Sequence, residues 1–115
     1  MQTAEDKIKG FLTVQFGDTL LPIKFGINAM CLLTDLLGNN YANASHVTFL
    51  RAVTWAGLVC GGEYKNQPFN KDIFQVGDML DNVTNEVKEQ IIQAFIDSQA
   101  IDDSKNIDDE NLKKK

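Results

Sequence analysis

Residues 45–62 read "SHVTFLRAVTWAGLVCGG". The run is too long for an ordinary strand, and Ser45 stands where a helix N-cap is wanted. Gly61 and Gly62 close it with a helix-stop signal. After the first turn only Thr48, Arg51 and Thr54 interrupt the apolar side chains, and their three-residue spacing predicts one narrow polar stripe. A helix apolar on most faces belongs at the centre of its domain. Trp55, the one tryptophan, lies among Ala52, Val53 and Val59 and is expected to anchor the core.

Upstream, Leu12, Val14 and Phe16 alternate with Thr13 and Gln15, the period of a strand. Gly17-Asp18 is a two-residue turn with glycine first, the II′ preference. Leu21, Ile23 and Phe25 resume the alternation. The pattern predicts a β-hairpin over 10–16 and 19–25. Pro22 has no backbone donor, so its strand should be an edge there. A lone hairpin is marginal in water, so one face must rest on other elements.

Three further helices flank the central one. The first holds Ile27, Met30, Leu33, Leu36 and Leu37 and stops at Gly38. The next has Asn70 or Asp72 as cap and one face of Ile73, Val76, Gly77 and Leu80. Thr84 caps the last, which buries Val87, Ile91, Ala94 and Phe95 and carries Ile92 and Ile96 on its flank. The expected fold is α+β, mostly α: an N-terminal β-hairpin followed by about four helices packed around a central apolar helix. Residues 1–9 read as a frayed N-terminus, 10–101 as a single globular domain, and 102–115 as a disordered charged tail.

The 115 residues are 43% hydrophobic and 23% charged, ordinary for a soluble domain. The net charge is −5. From Ile23 to Phe69 the only basic residues are Lys24, Arg51 and Lys65, so no stripe for nucleic-acid phosphates is present. No apolar run approaches the ~20 residues of a membrane span. No basic-then-apolar leader opens the chain, and the expectation is a cytosolic protein.

Sites of chemistry are scarce. His46, the single histidine, stands beside a helix cap with no orienting partner in sequence. Cys31 and Cys60 form no CxxC pair and read as small buried hydrophobes in a reducing compartment. "GLVCGG" lacks the lysine and hydroxyl of a phosphate loop, because Glu63 follows Gly62. Its glycines read as close packing and a helix stop. A calcium loop begun at Asp102 would need glycine at Ile107 and glutamate at Lys113, and fails at both. The "NAS" and "NVT" sequons place their hydroxyl residues, Ser45 and Thr84, where caps are needed. The chain is therefore expected to be no enzyme and to need no cofactor or metal.

In order, "IKFGINAMCLLTDLLG" (23–38), "FLRAVTWAGLVCGG" (49–62), "DIFQVGDMLDNV" (72–83) and "EVKEQIIQAFIDS" (86–98) resemble the small tail assembly chaperones of long-tailed bacteriophages and prophages. The resemblance covers about residues 10–98. It rests on element order, on "KFG" at the strand-to-helix junction and on "VGDMLD" before the last helix. It implies a non-enzymatic protein of the bacterial host cytoplasm that binds and solubilises the tape-measure protein. Such a protein helps recruit tail-tube subunits and is absent from the mature virion. Self-association is open; nucleic acid and membrane are not implied partners. The alternative is a small cytosolic adaptor that docks on an enzyme through an apolar helical surface.

The family has no sharp binding motif. The margin of the last two helices is the expected partner surface: Met79, Ile92, Phe95 and Ile96, with Phe95 equally readable as core. The chain ends in "LKKK". Charge makes it a solvated end. The resemblance adds a second reading, in which consecutive lysines record an adenine run where ribosomes slip toward a longer product.

Overall fold

The computed structural model describes residues 10–110, with side chains described to Gln99. Strands β1 (Phe11–Phe16) and β2 (Thr19–Lys24) form an antiparallel hairpin. Helices α1 (Ile27–Leu37), α2 (His46–Tyr64), α3 (Ile73–Leu80) and α4 (Asn85–Glu110) follow, with a 3₁₀ turn at Tyr41–Asn43 before α2. The architecture is α+β, mostly α, as the sequence predicts.

Local chemistry explains the boundaries. Gly17 takes φ 63, the left-handed value that the first position of a II′ turn requires. The register pairs Leu12 with Ile23, Val14 with Leu21 and Phe16 with Thr19. The Phe25 amide donates to the Gly10 carbonyl at 2.8 Å. Hydrogen-bonded pairs alternate along an antiparallel ladder. Thr13 and Pro22 therefore form a non-bonded pair, and proline's missing N–H removes no ladder bond.

Ser45 caps α2 by accepting from the Thr48 amide. Asp72 and Gln75 cap α3 reciprocally in a capping box. The Thr84 hydroxyl accepts from the Val87 amide in the first turn of α4.

The glycine pair does not end α2. The helix runs on to Tyr64 and closes on Asn66, which sits at φ 61. The Asn66 amide donates to the Glu63 carbonyl, and the Gln67 amide donates to that of Gly62. This is a Schellman closure with asparagine in the left-handed position. Gly57 and Gly61 serve close approach instead. A Cβ on Gly57 would lie 2.6 Å from the Ile23 side chain, and one on Gly61 would run into the Pro22 carbonyl. That carbonyl points away from β1, so α2 lies against the outer edge of β2.

Helix α2 buries residues on every side, including Leu50, Ala52, Val53, Ala56 and Leu58. Val14, Phe16, Ile23 and Phe25 of the hairpin meet it, with Ala29 and Leu33 of α1, Val76 and Leu80 of α3, and Ile91 and Phe95 of α4. Trp55 packs half-buried against this core.

Two rows read at three-residue spacing behave differently from expectation. Three residues advance a helix by about 60° short of a full turn, so such a row winds around the axis. Ile27 and Leu36, at the ends of the α1 row, are exposed, whereas Ala29 and Leu33 are buried. The Thr48–Arg51–Thr54 row runs from half-buried positions into the core, where Thr54 has no exposure.

Helix α4 continues through residues 102–110, the part of the charged segment assigned to a tail. Neither glycine nor proline interrupts 85–110, so no local breaker stops the helix where the apolar pattern ends. The frayed segment 1–9 and the terminal "LKKK" lie outside the described residues.

Candidate partner-binding surface

The four residues singled out from the sequence do not share one surface. In α4, Ile91 and Phe95 are one turn apart and form the inward row. The Phe95 ring meets those of Phe25, Phe49 and Tyr41 edge-on, with centroids 5.6, 5.7 and 6.5 Å away. Phe95 is therefore a core residue and unavailable to a partner.

Ile92 and Ile96 form the neighbouring row. Ile92 is half-buried in a cleft of roughly 400 Å³ with His46, Lys88 and Glu89. Ile96 is 47% exposed. Met79 is half-buried in a different groove, with Phe16, Leu21, Pro68 and Phe69.

An open groove of roughly 730 Å³ runs between α1 and α2. Ile27, Cys31 and Leu32 line one wall; Cys60 and Tyr64 line the other, with Lys24 at the rim. Ile27 and Cys31 are one helical turn apart, on the side of α1 away from Ala29 and Leu33. Ile27 is 80% exposed. The Tyr64 ring is held by Lys24, whose ammonium lies 5.3 Å from its centroid, and by Phe11 at 5.7 Å. That wall is thus an exposed ring with a cation and a second ring packed on it.

The cysteines depart from the buried pair expected. Cys31 is exposed and Cys60 half-buried, both as free thiols. Burial pushes the Cys60 thiol above its ordinary value, while the nearby Lys24 charge pulls it back. Sequence reading missed this groove because Ile27 was assigned to the core row. The one signal for it was angular: Ile27 and Cys31 fall outside the arc that contains Ala29, Met30 and Leu33.

Between α2 and α3, the Arg51 guanidinium lies 5.5 Å from the centroid of the Phe74 ring. Phe74 and Val47 are 73% and 70% exposed. Gly77 admits the Arg51 stem, whose Cδ would sit 3.2 Å from a Cβ there. The Arg51 Nε is buried without a hydrogen-bond partner among the described residues.

Among the described residues, no three His, Cys, Asp or Glu side chains gather as a metal site, and no helix is long and apolar enough to cross a membrane. No protein-family model matches the chain, and neither a curated protein nor a solved structure matches it.

Proposed function

We propose that the protein is a tail assembly chaperone that binds the phage tape-measure protein and keeps it soluble. The observation that carries this reading is the α1–α2 groove. It leaves Ile27 exposed on one wall and the Tyr64 ring exposed on the other, with Lys24 and Glu63 at its borders. An apolar trough with charged rims accepts the apolar face of an amphipathic helix. The long tape-measure protein supplies such helices. Ile96 on α4, Val47 on α2 and Phe74 on α3 are further exposed apolar side chains for a partner long enough to wrap.

The resemblance in element order over about residues 10–98 supplies the biological setting. The protein acts in the host cytoplasm, helps bring tail-tube subunits to the tape measure and leaves before the virion is complete. It carries no catalytic role in this reading. Its net charge of −5 helps keep the complex in solution.

Co-expression with a phage tape-measure protein tests the proposal. The wild-type chain should raise the soluble fraction of the tape measure and co-purify with it. Ile27→Asp should fold normally, because Ile27 is exposed, and should lose that effect. Equal solubility of the tape measure with and without the chain would refute the chaperone reading. Full retention by Ile27→Asp, and loss by Ile92→Asp with Ile96→Asp, would move the site to α4.

A further inference from the structure

We infer that β1 is the pairing edge of a symmetric dimer, in which it joins antiparallel to β1 of a second copy of this chain. The inference rests on the hairpin and its packing on α2, and does not depend on the chaperone reading.

The ladder bonds of Gly10, Leu12, Val14 and Phe16 point toward β2, as the register and the Phe25–Gly10 bond require. The N–H and C=O groups of Phe11, Thr13 and Gln15 therefore point the other way. Among the described residues no third strand pairs with them. Thr13 and Gln15 are exposed.

Natural edge strands are blunted by charge, proline or bulges. β2 has Pro22 and Lys24 and is covered by α2 at Gly61. β1 reads "FLTVQF", with no charge, no proline and an unbroken register. Among the described residues only one edge of the sheet is open, so edge pairing closes after two copies and does not propagate.

A two-fold axis at Thr13 satisfies every outward group. Thr13 faces its own counterpart, and Phe11 faces Gln15 of the other copy, each pair exchanging two hydrogen bonds. The same register sets half-buried Leu12 beside Val14 of the second copy, on the core side of the sheet. The contact is smaller than a standard protein interface, so the dimer is weak and depends on concentration.

Sedimentation and hydrogen exchange on the full chain test this. The wild type should pass from monomer to dimer with rising concentration, and the amides of Phe11, Thr13 and Gln15 should gain protection in step. Thr13→Lys places two like charges opposite each other on an exposed face. It should stay monomeric with an unchanged circular dichroism spectrum, as should Thr13→Glu. Mixing the two variants should restore a dimer.

A wild-type chain that remains monomeric at all concentrations overturns the inference. So does a Thr13→Lys chain that dimerises as well as wild type. Protection of those three amides in a monomer, independent of concentration, would put another segment of the same chain on the edge and overturn it equally.

Discussion

The ring of Phe95 stands edge-on to the ring of Phe25, at 84° and 5.6 Å between centroids, and so joins α4 to the hairpin. Phe95→Ala removes this contact together with those to Phe49 and Tyr41. It should cost about 3–5 kcal/mol of stability. Ile96→Ala, one position on but half exposed, should cost less than about 1 kcal/mol. Denaturant titration of the two variants separates them, and equal losses would contradict the assignment of Phe95 to the core and Ile96 to the surface.

Gly61→Ala improves intrinsic helix propensity yet should destabilise the protein, by a net of about 1–3 kcal/mol, because the new methyl meets the Pro22 backbone. Gly77→Ala meets only the flexible stem of Arg51. There the helix gain of up to about 1 kcal/mol should survive. Opposite signs in the thermal midpoints are the expected result.

Thr54 has no exposure, and its hydroxyl finds no partner among the described residues. Thr54→Val keeps the shape and removes the unsatisfied group. The unfolding free energy should rise by about 1–2 kcal/mol. A loss of stability would show that the hydroxyl makes a bond in solution.

The two thiols should label in order. Cys31 is exposed and should react first with maleimide. Cys60 should lag, because burial disfavours its thiolate. A thiol raised in the folded state stays protonated while the unfolded chain ionises. Stability linked to Cys60 is therefore intact below the ordinary thiol range and falls as pH climbs through it. Comparing wild type with Cys60→Ala across alkaline pH isolates that contribution. An equal slope in both would remove it.

Much of this molecule was legible in the chain because it depends on near neighbours. Ser45, Asp72 and Thr84 cap their helices through bonds to amides three residues on. The strand alternation and Gly17-Asp18 set the hairpin and its register. The binding surface was less legible. Met79, Ile92 and Ile96 are each half-buried or exposed as margins of amphipathic helices should be, but a margin is not yet a common face. Whether two margins meet depends on how α3 and α4 are set around α2, which no local pattern encodes.

Sequence by itself determined the order of elements, the central place of the 45–62 helix and the inward rows of α3 and α4. Those follow from periodicity and from backbone groups satisfied within a turn. Only the tertiary structure decided the rest. It put Gly57 and Gly61 against the hairpin and left the helix end to Asn66. It carried Thr54 inward and turned Ile27 outward, opening the groove between α1 and α2. The reason is geometric: a row spaced by three residues winds around its helix, and the packing partner selects which part of the winding is buried.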